Sequence, residues 1–317
     1  MCIRDRGVSS EEVDNGDVTF RVLITGSTKG LGLALAQRFL EAGDIVLVTS
    51  RDRGRVENTV KLLRKQTSGA GAGDESRVFG TTADVSDAES VSNLASFASE
   101  QMGGVDIWIN NAGANGYVYE NLADSDPAVL REIVLTNSLG SLLCSREAIR
   151  MMSGQQGGGD IFNLLGAGSD GGPTMKYAAY GHTKAGLVQL TKTLAGEVEG
   201  TSVGVHTISP GMVFTELISA GRYAFGSQGR FFVNAFAQPP DVAAEEIVTK
   251  IRTFIIEGGG GVGRGSLQLP PLLGGAVKSA KFEVLTPPVA LTKIFKRIVM
   301  GEGKDRYYPE DDGADKP

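Results

Sequence analysis

Short apolar runs alternate with longer amphipathic stretches along the first half of the chain, and a turn-forming break separates each pair. Phe20–Ile24 is an apolar run that predicts a strand, and Leu31–Ala42 carries helical periodicity that stops at Gly43. The unit repeats with a strand at Ile45–Val48 and a helix at Val56–Gln66. Arg77-Val78-Phe79 then leads through Ala83-Asp84-Val85 into a helix ending near Met102, and Val105–Ile109 predicts the next strand. Strands with no polar face, each followed by a helix, are the pattern of a parallel sheet covered on both sides.

The second half continues the alternation. A helix is expected around Ala128–Met152, interrupted in character by Asn137 and Gly140, followed by a polar connector at Gln155–Gly159. Ile161–Leu165 predicts a strand, Ala178–Glu199 a long helix and Val203–Ile208 another strand. Beyond Gly258–Gly261, read as a flexible connector like Gly69–Gly73, the alternation fades and the remainder reads as an appendage. The expected architecture is α/β, a single doubly wound Rossmann-type parallel sheet flanked by helices, with a C-terminal extension. Residues 18–257 would form the catalytic domain, 1–17 a lead-in with Met1–Arg6 of foreign character, and 258–317 the extension. Within the extension, Val289–Val299 has amphipathic spacing, with Ile294, Phe295, Ile298 and Val299 on one face. That face suits either core packing or a membrane surface. Glu310–Asp315 reads as a solvated acidic tail.

Composition narrows the function classes. The 44 glycines and 11 prolines among 317 residues stay below the roughly 25–30% that marks low-complexity disorder. With 31 Lys+Arg against 37 Asp+Glu, the net charge of -6 disfavours nucleic acid as a partner. Two cysteines and two histidines supply neither a disulfide framework nor a four-ligand metal centre. No apolar run approaches the ~20 residues that span a bilayer.

Two constellations carry chemistry. Thr25-Gly26-Ser27-Thr28-Lys29-Gly30-Leu31-Gly32 joins the first strand to the first helix, where glycines let a dinucleotide pyrophosphate approach backbone N–H groups at a helix N-terminus. The second strand ends in Ser50-Arg51, where a carboxylate would accept the ribose hydroxyls of NAD. A guanidinium there suits the additional phosphate of NADP(H), and Lys29 adds a second cation nearby. Downstream, Tyr180 and Lys184 lie four apart and so on one helix face. A neighbouring ammonium is expected to lower the phenol pKa and make Tyr180 usable as a general acid or base.

Together with Asn110-Asn111-Ala112-Gly113, Asn137 in Asn-Ser-Leu-Gly, and Pro210-Gly211-Met212-Val213-Phe214-Thr215, these motifs stand in the order seen in short-chain dehydrogenase/reductases, which the chain resembles from about Val18 to Ile256. The resemblance implies that Tyr180 donates the proton, that Lys184 binds the nicotinamide ribose and tunes Tyr180, and that Asn137 holds a proton-relay water. It further implies that Asp84 and Val85 face the adenine, that Asn111, Ala112 and Gly113 line the cofactor cleft after the fourth strand, and that Val213 and Thr215, beyond Pro210-Gly211, fix the carboxamide. One departure stands out. Where the family has a serine three residues after the strand asparagine, this chain has Gly166, and the nearest hydroxyl is Ser169 in Gly166-Ala167-Gly168-Ser169-Asp170-Gly171-Gly172. Either Ser169 reaches the substrate oxygen or catalysis lacks that hydrogen bond.

That loop, Ala179–Lys184, Val203–Thr207, Ser209–Val213 and Leu285-Thr286-Pro287-Pro288 are similar to the chlorophyll(ide) b reductases within this family. This resemblance implies NADPH as cofactor, chlorophyll b or chlorophyllide b as substrate, and reduction of its C7 formyl group to hydroxymethyl. It also implies a chloroplast location, in the stroma or at the thylakoid surface, and assembly as a homo-oligomer or with a related reductase. The aromatic stretch from Gly211 to Gln238, with Tyr223, Phe225, Phe231, Phe232 and Phe236, would cover a flat macrocycle or simply pack on the sheet. Two other readings stand beside it: a general carbonyl or 3-oxoacyl reductase, and a cofactor-binding scaffold without turnover.

Overall fold

Val22, Leu23 and Ile24 have no exposed surface, and a strand that is shielded on both faces needs helices above and below it. In the computed structural model, which describes residues 18–67, 77–219, 227–261, 279–284 and 306–308 with isolated positions between 286 and 296, that cover is in place. The strands are β1 (Arg21–Thr25), β2 (Ile45–Ser50), β3 (Val78–Thr82), β4 (Ile107–Asn110), β5 (Gly159–Leu164), β6 (Val203–Ser209) and β7 (Lys281–Glu283). They pair in the order β3-β2-β1-β4-β5-β6-β7, all parallel.

The helices are α1 (Gly30–Glu41), α2 (Arg53–Thr67), α3 (Ala88–Met102), α4 (Pro127–Val134), α5 (Gly140–Gly154), α6 (Ala178–Glu197), α7 (Glu216–Ser219), α8 (Ser227–Phe236) and α9 (Pro240–Ile256). Leu35, Phe39, Leu63, Ile247 and Ile251 from α1, α2 and α9 pack with Val22, Ile24 and Phe162 in one core. Leu94, Ala98, Ala148 and Met152 from α3 and α5 pack with Leu23, Leu47 and Trp108 in the other. Successive residues of β1 thus face opposite layers, as the period of a strand requires. The strand order reverses beside β1, between β1 and β4, and a ligand crevice is expected at the carboxyl ends of those two strands.

The helix expected around Ala128–Met152 is α4 and α5 joined by a π-helical turn at Leu135–Leu139, so the break in character at Asn137 and Gly140 is a real change of backbone. The extension departs from expectation. It supplies the seventh strand, with Lys281 in register with Thr207 on β6, and so is no mere appendage. Gly258–Gly261 is not a free connector either. The Gly261 N–H donates to Asp160 Oδ1 at 2.7 Å, and the buried Asp160 accepts from His206 Nε2 at 2.8 Å. The Ala280 N–H donates to His206 Nδ1 at 3.1 Å, which leaves the ring proton on Nε2. This buried pair fastens both ends of the segment before β7 to the sheet. Among the described residues no helix is long and apolar enough to cross a membrane, and no cluster of ligating side chains could hold a metal ion. Residues 1–17, Gly69–Gly73, Tyr223, Phe225, Ile294, Phe295, Ile298, Val299 and Glu310–Asp315 lie outside the described residues.

Candidate active site

The turn from β1 to α1 is shaped by contacts that only small residues permit. Gly26 has φ +64, and a Cβ there would lie 2.9 Å from Ala112 Cα. A Cβ on Gly32 would strike Asn111 Nδ2 and lie 2.6 Å from the Gly26 carbonyl. Asn111 holds the turn by donating to the carbonyls of Thr25 at 2.7 Å and Gly26 at 3.1 Å. Ser27, fully buried, donates to the Ile24 carbonyl and accepts from the Thr49 N–H, so its side chain braces the loop from behind. The α1 N-cap, Lys29, offers no side-chain acceptor to the first turn of the helix. Those N–H groups and the helix dipole form a cradle that suits a pyrophosphate, with Thr28, Gly30 and Leu31 along it.

At the far end of the crevice, α6 brings Tyr180 and Lys184 onto one face, as their spacing predicts. Lys184 Nζ donates to the Leu164 carbonyl at 2.8 Å and sits 5.7 Å from the Tyr180 ring centre. Gly113 opens toward the same corner, its Cβ position 3.5 Å from Asn137 Oδ1 and 3.9 Å from Lys184 Nζ. Asn137 is buried in the π turn. Its amide donates to the Ala114 carbonyl and to Thr183 Oγ1, and its Oδ1 accepts from the Ala114 N–H. The structure therefore brings Asn137, Gly113, Tyr180 and Lys184 together.

The electrostatics correct one expectation. Burial, followed by the nearby Tyr177, pushes the Tyr180 hydroxyl up to about 12, whereas a lowering by Lys184 was expected. Burial likewise lowers Lys184 to about 8. At neutral pH Tyr180 thus keeps its proton while Lys184 remains largely protonated, the state that a proton donor to a carbonyl oxygen requires.

The Gly166 departure has a physical reason. A Cβ at Gly166 would run into the Tyr180 hydroxyl, and would lie 3.1 Å from Tyr180 Cζ and 3.3 Å from Lys184 Cγ. The space of a serine side chain is filled by the phenol itself. The loop then doubles back, with the Ser169 N–H donating to the Gly166 carbonyl at 3.1 Å, so half-buried Ser169 returns beside Gly166. Gly168, at φ +90, lets the loop backbone close on Gly181 of α6, where a Cβ would lie 2.7 Å from Gly181 Cα.

Around the rim, the Asp84 carboxylate accepts from the N–H and hydroxyl of Ser86, and Val85 packs against Gly140 at the start of α5. Arg51, mostly exposed at the end of β2, has Nη2 3.2 Å from Glu132 Oε1. Lys29 does not stand free beside it, because its Nζ pairs with Glu216 of α7 at 2.5 Å and donates to Tyr117 Oη at 3.0 Å. Beyond β6, Pro210 is buried and Gly211 turns the chain at φ +70. Buried Val213 bridges to Gln238, and the Thr215 methyl lies 3.4 Å from the Cβ position of Gly30. That contact sets the segment after β6 against the loop between β1 and α1.

Residues 21–222 match the family described as short chain dehydrogenase. The chain belongs to the short-chain dehydrogenase family. It is an NAD(P)-dependent oxidoreductase of that family. Among curated proteins, this short-chain dehydrogenase is 42% identical over 295 residues to "Chlorophyll(ide) b reductase NOL, chloroplastic" of Arabidopsis thaliana, covering 92% of this chain and 77% of that one. The protein of the same name from Oryza sativa subsp. japonica is also 42% identical, over 92% of this chain and 79% of its own. Among solved structures, an actinorhodin polyketide ketoreductase with NADPH aligns with a TM-score of 0.66 at 24% identity, covering 84% of this chain and 95% of that one. That likeness bears on the fold alone.

Sequence reasoning missed several residues that hold this short-chain dehydrogenase site together. Thr25 Oγ1 accepts from the N–H groups of Asn111 and Ala112, joining β1 to the loop after β4. Asn115 donates to the Leu217 carbonyl at 2.8 Å, tying α7 to the body. Asn110 donates to Ser145 and to Asn163, which in turn donates to Thr191, so a buried amide network floors the crevice. An amide at the end of an apolar run for Asn110, and inside one for Asn163, was the available signal. Nothing in the pattern marks Asn115.

Proposed function

We propose that this enzyme uses NADPH to reduce the C7 formyl group of chlorophyll b or chlorophyllide b to hydroxymethyl. The observation that carries this reading is the 42% identity over 92% of the chain, which runs well past the residues common to the whole family. The glycine-dense loop supports it, since it seats the catalytic phenol where a serine would stand.

The residues fit the cofactor. The cradle of Gly26, Thr28, Gly30 and Leu31 would hold the pyrophosphate, Asp84 and Val85 the adenine side, and Lys184 the nicotinamide ribose. The bound cofactor supplies the hydride. Tyr180 gives its proton to the formyl oxygen as the carbon is reduced. Lys184, charged and fixed on the Leu164 carbonyl, stabilises the phenolate that results. Asn137 orders the path by which the proton is restored, and Ser169 polarises the carbonyl from the loop.

Preference for NADPH rests on Arg51. Its partner Glu132 makes an exposed ion pair worth only about 0–1 kcal/mol, so the guanidinium is readily surrendered to a phosphate. Arg51→Asp is expected to weaken NADPH binding and shift preference toward NADH, read as kcat/KM for both cofactors. An unchanged preference would refute this assignment. For the substrate, purified protein with NADPH should reduce chlorophyllide b in preference to small aldehydes, followed by pigment chromatography. Turnover of small carbonyls alone would favour a general carbonyl reductase. By the same likeness, the protein works in the chloroplast, in the stroma or at the thylakoid surface.

A further inference from the structure

The chain returns to the substrate side of the site at Tyr307 and Tyr308, far beyond the family match that ends at residue 222. The Phe214 ring, between Val213 and Thr215, stacks on Tyr307 with centres 4.0 Å apart and planes 15° apart. It meets Tyr308 edge-on at 5.8 Å. Asn234 of α8, 1% exposed, turns its amide to this dipeptide. Its Nδ2 donates to the Tyr308 carbonyl at 2.8 Å, and its Oδ1 accepts from the N–H groups of Tyr307 at 2.9 Å and Tyr308 at 3.1 Å. A buried amide with its donor and acceptor turned to one dipeptide makes a specific clasp.

Aromatic rings stand at the reacting end of the crevice as well. Tyr177 lies edge-on to Tyr180 at 6.2 Å and against Tyr119 at 5.1 Å. Burial, then Tyr119, then Tyr308 raise the Tyr177 hydroxyl above its ordinary value, so Tyr308 stands within electrostatic reach of that residue. Phe214 in turn sits one residue before Thr215, which contacts the cofactor loop.

We propose that Tyr307 and Tyr308 are positioning residues for a broad, flat substrate. Tyr307 sets the plane of Phe214, and Tyr308, clasped by Asn234, holds α8 against the same ring. This deepens the proposed function and rests on its reading of a large planar carbonyl substrate. A small aldehyde does not reach the clasp and does not feel it.

The test is a size ladder on the full chain with NADPH, using benzaldehyde, pyrene-1-carboxaldehyde and chlorophyllide b. Tyr307→Leu and Tyr308→Leu are expected to raise KM about tenfold for the two large aldehydes, since lost ring stacking is worth up to one decade, and to leave benzaldehyde kcat/KM unchanged. Tyr307→Phe should restore the wild-type values. Pyrene-1-carboxaldehyde binding, read by its fluorescence with NADP+ present, should weaken by the same factor, which tests the clasp even where turnover is slow. A loss equal for all three aldehydes, or none for the pyrene compound, would overturn the proposal. Wild-type protein that reduces or binds the pyrene aldehyde but not chlorophyllide b would remove the substrate reading and leave the clasp to be judged on the pyrene result.

Discussion

Tyr180→Phe is expected to lower kcat by ~10²–10⁴-fold, the usual contribution of a positioned general acid. The substitution removes only the hydroxyl. The ring keeps its edge-on contact with Tyr177, and Lys184 keeps its hydrogen bond to the Leu164 carbonyl. Cofactor affinity should therefore be unchanged, because the cradle and Lys184 are untouched. Steady-state kinetics with NADPH titration by fluorescence separates the two effects. Full activity in the variant would take Tyr180 out of the mechanism. Because burial holds the phenol near 12, the Tyr180 hydroxyl of the cofactor-free enzyme is expected to keep its proton as pH rises from 7 to 9, read by the phenolate absorbance of the wild type against Tyr180→Phe.

Gly166→Ala is expected to cost about 10²-fold in kcat, the scale of a displacement of roughly 1 Å in a reacting group. A methyl group there meets the Tyr180 hydroxyl and crowds Cζ at 3.1 Å, so the phenol must leave its position or the loop must move. Gly166→Ser should fall as far as Gly166→Ala, even though it puts back the residue type that the family has at this point. The kinetic measurement is paired with thermal unfolding, so that a folded but slow enzyme is distinguished from a destabilised one. An active Gly166→Ser enzyme would mean that the glycine merely marks a missing hydroxyl and that Tyr180 tolerates a neighbour there.

The five inner strands β1, β2, β4, β5 and β6 and the helices up to α6 were legible because two-faced burial forces continuous apolar runs between amphipathic segments. The seventh strand was not. Lys281-Phe282-Glu283 carries one buried side chain, and a strand at the sheet edge with a single core residue leaves no run to detect. Asn137 and Gly140 betrayed a break in their helix, while its form, a π turn, depends on side-chain bonds to Ala114 and Thr183 that are distant in sequence. The pairing of Tyr180 with Lys184 could be read from spacing alone. Its electrostatics could not, since burial dominates both groups and depth is a property of the folded loop. Gly166 was visible as a departure, yet only the packing shows that the phenol occupies the missing side chain's place. The C-terminal clasp was invisible for a related reason, because Tyr307-Tyr308 gains meaning only where Asn234 and Phe214 meet it.

The most direct measurement incubates the enzyme with chlorophyllide b and NADPH deuterated at the transferring position, with the pigment analysed by chromatography and mass spectrometry. The predicted result is 7-hydroxymethyl chlorophyllide a carrying one deuterium on the C7 substituent, formed by the wild type and not by Tyr180→Phe. Unchanged chlorophyllide b in the presence of enzyme that turns over small aldehydes would contradict the account.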